Sequence, residues 1–337
     1  MKNIKFILVL LILCSCKSHN STEISLSDKH IELKAKTVEL KYNKNNFIPQ
    51  SVYCNDDYFV IAQVHSSPCY YVFDYEGNLK ASGLYLGRGP QDLIRPDLRF
   101  FSHTDNGFRV LDQGNIICDV VYDGNTLSIT QRHKLQLDSP ANFVVDVGNN
   151  HFCSLVGLDS NAENSDYEFC MTNIINKDNN KYFGTFPEQY TFADPGERLF
   201  KCLSVGVASP EQQKFAYFYR YIGQFKIYDS STKLIKCVHI AGTKGLAIED
   251  DTFNRTLYFG STTANSKYIY TAYHNCEFKN VKDEKRTRVL KWSWDGELVE
   301  QYILDRHIDK ISVSEKNQLI GINTSEDSAN IYVYDIS

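Results

Sequence analysis

The chain has 337 residues, 42% of them hydrophobic and 13% aromatic, and a net charge of −5 from 36 basic and 41 acidic side chains. That balance excludes electrostatic nucleic-acid binding, which needs a basic face, while the length is ample for a large core. The aromatic share is made almost wholly of Tyr and Phe, which with abundant Val and Ile favours strands over helices.

The N-terminus reads as a processing segment. Lys2 and Lys5 precede an apolar run, Phe6 to Leu13, that is too short to span a bilayer. Leu13-Cys14-Ser15-Cys16 resembles a bacterial lipobox. The resemblance implies a signal peptide over residues 1–15, cleavage before Cys16, and acylation of that cysteine, palmitate included. An ordinary secretory signal with incidental cysteines is the other reading. Several acyl chains on one residue give stable anchoring to a membrane. Residues 16–35 are polar and lack strong periodicity, and are expected to form a flexible tether from lipid to body.

From residue 36 to 337 one short unit recurs: a strand, a tight turn with Asp or Gly, and a second strand. Its copies turn at Asp74, Asp123, Asn176, Asp229, Asp295 and Asp335, at intervals of 49, 53, 53, 66 and 40 residues. A period of this size, with several short strands in each, predicts an all-β, six-bladed β-propeller of four-stranded antiparallel blades. Helical spacing of apolar residues in long runs is not found. The last copy, Tyr332-Val333-Tyr334-Asp335-Ile336, stops in mid-hairpin. The alternating Lys36-Thr37-Val38-Glu39-Leu40-Lys41-Tyr42 is expected to supply the missing outer strand and close the ring. Asp295-Gly296 suits a two-residue hairpin turn. The charged stretch 279–288 lengthens the fifth interval and is expected to be a solvated excursion on one face.

The most distinctive loop is Gly87-Arg88-Gly89-Pro90-Gln91-Asp92-Leu93. Its glycines are expected to adopt backbone angles closed to other residues, and Pro90 to stiffen the exit. No helix follows, so a phosphate cradle is excluded. The loop reads as a rigid connection between blades, or as one that turns Arg88 and Arg95 towards a ligand at one mouth of the channel. Arg220 stands in the aromatic strand Tyr217–Tyr221. An Arg there must be paired, stacked on Tyr, or at a strand end. The functional alternative is an Arg that binds an anion or sugar near the channel, with Tyr221 beside it.

Asp159-Ser160-Asn161-Ala162-Glu163-Asn164 partly mimics a calcium loop, but it has Asn164 where the turn Gly belongs and no flanking helices. No cofactor is therefore predicted, Ca2+ being the one ion the sequence hints at. Apart from Cys14 and Cys16, eight dispersed cysteines form no C-x-x-C pair, which argues against zinc. They are expected to be small buried residues on strands; bridges Cys54–Cys69 or Cys153–Cys170 across one hairpin stay open. No catalytic residue is predicted, and no G-x-S-x-G elbow occurs.

The Gly87 to Leu93 loop resembles the G-x-G-P-x-[DE]-[FL] segment between the first two blades of the TolB-like, six-bladed propeller lipoproteins of Bacteroidetes-type bacteria. The strand pair Lys214 to Asp229, the lipobox and the overall length are similar to that family as well. The resemblance implies the same fold and a lipid anchor in the cell envelope. Gln91 departs from the small residue more usual there. Lys17-Ser18-His19-Asn20 lacks the acidic run of a surface-export signal, so a periplasm-facing anchor is expected. The expected function is that of an envelope lipoprotein serving as a binding or scaffolding propeller for a protein or glycan partner. The alternative is a propeller hydrolase or lyase with its site in the central channel.

Overall fold

The computed structural model describes residues 20–42, 47–63, 67–137, 142–156, 164, 166–175, 180–187, 194–244, 254–326 and 330–337. The signal segment, Cys16, the Asn176 turn and residues 159–163 of the calcium-like loop lie outside the described residues.

Six antiparallel four-stranded blades follow one another along the chain. Their innermost strands are Ser51–Cys54, Pro96–Thr104, Asn142–Gly148, Ser204–Ser209, Thr256–Ala264 and Lys310–Val313. Each of these packs on the next, and the sixth packs on the first, so the ring is closed. The strands are rich in apolar residues on both faces because each blade is sandwiched between two others. Six apolar clusters fill the six blade-to-blade interfaces. Between blades 4 and 5, for instance, the fully buried Trp292 meets Phe225 with ring centroids 4.8 Å apart.

Closure follows the expected route. Lys36–Glu39 pairs antiparallel with Asn330–Asp335, Val38 opposite Ile331, and becomes the fourth strand of blade 6. The preceding residues correct the tether reading. Ser21–Ile24 runs parallel along Leu234–Ile240, the outer strand of blade 4. Ile31–Leu33 does the same along Leu298–Leu304 of blade 5. Two blade edges are thus covered by the chain itself. Such strands are too short for their alternation to stand out in sequence.

The turns at Asp74, Asp123, Asp229 and Asp295 join the third and fourth strands of their blades. At Asp74 and Asp229 one carboxylate oxygen accepts backbone N–H bonds from residues two and four positions on. This is the side-chain mimicry of a backbone turn that favours Asp there. The Asp295-Gly296 expectation needs a correction of type. Gly296 N bonds Ser293 O at 3.0 Å, Ser293 N bonds Glu297 O at 2.9 Å, and only Gly296 of this turn has a positive φ, +81°. This is a three-residue loop with a bulged glycine rather than a two-residue one.

The connection from blade 3 to blade 4 holds a helix, Pro195–Lys201, that the strand pattern hid. Its start is written in Asp194-Pro195-Gly196-Glu197: the Asp194 carboxylate accepts the Glu197 N–H at 2.9 Å. The charged excursion of blade 5 contains the 3-10 stretch Phe278–Asp283 and is pinned at its end by the fully buried Thr287. Six of the eight described cysteines are buried, and neither Cys54–Cys69 nor Cys153–Cys170 is bridged.

Candidate functional site

Because strands alternate in direction, the second-to-third connections and the blade-to-blade connections all emerge on one face. That face carries Arg88, Arg95, Arg220 and Tyr221, and the structure spreads them across it.

Arg88 belongs to the rim. Tyr85–Leu86 and Asp92–Leu93 pair parallel across the loop, Gly89 N donates to Asp92 Oδ2 at 2.8 Å, and Asp92 N donates to Gly89 O at 3.1 Å. Neither Gly87 nor Gly89 has a positive φ, so the expected backbone freedom is not their role. A Cβ would stand 2.4 Å from Asp92 Oδ2 at Gly87 and 2.7 Å at Gly89. Glycine is required there for close approach to that carboxylate. The Gln91 amide brackets the backbone of Ile129, accepting its N–H at 2.6 Å and donating to its carbonyl at 3.1 Å. Ile129 is on the outer strand of blade 2. The loop is thereby fastened to that edge, and Arg88 is exposed there rather than at the channel. Arg95 is exposed too, its backbone N–H held by the fully buried Asp112 at 2.7 Å.

Arg220 lies centrally. It follows the second strand of blade 4, Lys214–Tyr219, so it satisfies the strand-end condition. Its N–H donates to Leu203 O, just before that blade's inner strand. Its carbonyl accepts from Tyr258 N, within the inner strand of blade 5. The backbone is thus tied to two neighbouring inner strands, at the end where both begin. The side-chain Nε is buried with no hydrogen-bond partner.

Two further cations reach the same mouth, and sequence reasoning missed both. Arg99 sits in an irregularity of the blade 2 inner strand between Asp97 and Phe101. Its guanidinium grips Asp97 at 2.8 and 2.6 Å and lies 4.3 Å over the ring of Phe143 in the blade 3 inner strand. Lys310 opens the inner strand of blade 6. Arg99 is held charged by Asp97 and acts on the other two. Burial, with the Arg99 charge adding to it against Tyr221, holds Arg220 below the ordinary arginine value. Burial also lowers Lys310; the Asp309 carboxylate opposes this, and Arg220 and Arg99 reinforce it.

Tyr221 is buried and carries a fourth cation. The Arg255 guanidinium lies 5.7 Å over its ring, with Nε and one Nη buried and without partners. No local motif announced Arg99, Arg255 or Lys310. Arg99 and Lys310 stand in inner strands and Arg255 just before one, far apart in sequence.

A separate polar cluster occupies blade 5. His274 Nδ1 and Glu284 are 2.6 Å apart, and Cys276 Sγ lies 3.4 Å from the same carboxylate. Burial, followed by the Glu284 charge, pushes the Cys276 thiol up to about 12, which leaves it a poor nucleophile.

No protein-family model matches the chain, and no curated protein matches it in sequence. Among solved structures, a member of the DUF4221 family from Bacteroides vulgatus aligns at TM-score 0.56 and 10% identity, over 91% of this chain and 98% of its own. A Bacteroides fragilis protein provisionally described as exported aligns at TM-score 0.57 and 12% identity, over 94% of this chain and 100% of its own. At such identities the likeness is one of fold, and this chain shares its six-bladed propeller architecture with these Bacteroides proteins.

Proposed function

We propose that the protein is a lipid-anchored binding propeller of the bacterial cell envelope, of the TolB-like kind, which engages a protein or glycan partner through the face bearing Arg220. The observation that carries this reading is the buried, unpartnered Nε of Arg220 at the mouth of the ring. A buried donor without an acceptor is unfavourable, and such groups point to a missing partner. Cations from blades 2, 4 and 6 meeting at one mouth favour recognition over acid–base hydrolysis, which asks for converging carboxylates or histidines. Anchoring through Cys16, facing the periplasm, rests on the lipobox-like Leu13-Cys14-Ser15-Cys16. The provisional description of the Bacteroides fragilis neighbour as exported agrees with that location.

The test is site-directed photo-cross-linking in cells, from position 95 on the Arg220 face and from position 295 on the opposite face, with thermal unfolding against envelope glycan fragments alongside. Adducts from position 95 alone, or a thermal shift with a glycan, support the reading. Equal adducts from both positions together with no thermal shift overturn it.

A further inference from the structure

Resting on the reading of this face as the recognition face, we infer that the space between Arg99, Arg220 and Lys310 is a site for an oxyanion, a carboxylate or phosphate group carried by the partner. The three residues come from blades 2, 4 and 6: Arg99 and Lys310 lie near the start of inner strands, and Arg220 lies on a connection tied by its backbone to two more. Arg255, on the ring of Tyr221, adds a fourth cation between blades 4 and 6. Two carboxylates lie nearby. Asp97 is held by both forks of Arg99, and Asp309 Oδ2 accepts from the N–H and hydroxyl of Thr324, while Asp309 Oδ1 is buried without a hydrogen-bond partner. Among the described residues no carboxylate stands at ion-pair distance from Arg220, Arg255 or Lys310.

The free groups on these side chains are donors: Nε of Arg220, Nε and one Nη of Arg255. A ligand that satisfies them must bring acceptors. Guanidinium groups match the planar or tetrahedral oxygens of carboxylate and phosphate better than those of a neutral ligand. The charges point the same way: Arg99 acts on Arg220, and both act on Lys310, so a negative charge placed beside Arg220 and Lys310 offsets that repulsion. The cluster is a local feature, set in a chain whose net charge is −5. Recognition is therefore of a discrete anionic group rather than of a long polyanion.

The experiment is thermal unfolding and titration calorimetry of the full chain with inorganic phosphate, D-glucuronate and neutral D-glucose, at constant ionic strength set by sodium chloride. Phosphate or glucuronate should raise the unfolding temperature in proportion to dose, and glucose should not. A response to phosphate alone assigns a phosphorylated partner, and a response to glucuronate alone assigns a uronate-bearing glycan. Arg220→Gln and Lys310→Gln should each weaken the anion response about tenfold, while Arg88→Gln on the rim leaves it unchanged. Without anion, Arg220→Met should unfold at a higher temperature than the natural chain, because it removes a buried donor that has no acceptor. The inference is overturned if neither anion shifts the natural chain, or if Arg220→Gln and Lys310→Gln respond as the natural chain does. A shift with glucose or other neutral glycans and none with anions would overturn the anion assignment while leaving the binding reading in place.

Discussion

Lys226 Nζ lies 2.8 Å from Glu168 Oε2, a buried ion pair that joins the third strands of blades 3 and 4. The same amine donates to Thr185 O at 2.5 Å and stands 5.4 Å from the Tyr219 ring centroid. Burial pushes the Glu168 carboxyl up, against the pull of Lys226. Removing one partner strands the other charge. Lys226→Met should therefore destabilise the protein by about 3–5 kcal/mol, and Lys226→Met with Glu168→Leu should recover most of that loss. Urea unfolding of the two single variants and the double variant measures the coupling. Equal losses in single and double variants would show that the pair does not act as a unit.

Gly296 has φ +81°, and a Cβ there would stand 2.9 Å from both Lys236 Cγ and Val238 Cγ2. Gly296→Ala should thus cost about 1–2 kcal/mol from the left-handed backbone alone, with crowding adding to it. Gly124 also has a positive φ, but nothing lies within 4 Å of its Cβ position. Gly124→Ala should show the backbone effect without the crowding, so it should be the milder of the two in a denaturation series.

The histidines set a pH window. Burial holds His307 and His239 below the ordinary histidine value of 6.5. At His307 the Asp309 charge opposes burial and His274 reinforces it. The unfolded chain therefore takes up protons near pH 6.5 that the folded chain resists, and protonation favours unfolding. This stability is fully present above about pH 6.5 and is lost as pH falls from there towards the lower folded values. The unfolding temperature should drop between about pH 7.5 and about pH 5.5, and His307→Gln should flatten that drop. An unchanged slope in the variant would remove His307 from the account.

Truncation separates edge covering from ring closure. Deleting residues 20–33 removes both added edge strands and leaves Lys36–Glu39 in blade 6. That variant should remain folded but aggregate more readily, because two edges are bared. Deleting residues 20–39 also takes the fourth strand of blade 6 and should abolish cooperative unfolding. Circular dichroism melts and light scattering distinguish the two.

Lipid attachment has a direct assay. Cys16→Ser should abolish incorporation of labelled palmitate and release the protein from the membrane fraction, whereas Cys14→Ser should leave both intact. Equal labelling of Cys16→Ser and the natural chain would exclude acylation at that residue.

The propeller was legible because its period is carried by turns, and turns carry residue-type requirements: Asp74, Asp123 and Asp229 recur because their carboxylates cap the loop backbone. The closing strand was legible because the last hairpin was visibly incomplete. The fifth strands at Ser21–Ile24 and Ile31–Leu33 were not, since three or four residues pair there through backbone groups that leave little mark on side-chain choice. The helix at Pro195–Lys201 was spelled by its cap and lost among strands. Of the site, Arg220 announced itself as a charge in an aromatic strand. Arg99 and Lys310 are 211 residues apart in sequence, and only the ring makes them neighbours. Arg88 looked prominent because it stands between two glycines, yet those glycines serve Asp92.

The pairing of residues 21–39 with strands near residues 240, 304 and 335 bears on how the chain comes off the ribosome. Ser21–Ile24 has no partner until Leu234–Ile240 has emerged, and Lys36–Glu39 has none until Asn330–Asp335 has. Blades 1 to 3 can form hairpin by hairpin as they appear, while Lys36–Glu39 waits for Asn330–Asp335. Loop closure over almost the full chain makes that docking a late, slow event. Until that docking Lys36–Glu39 is an unpaired strand, and the ring locks only once it has found Asn330–Asp335.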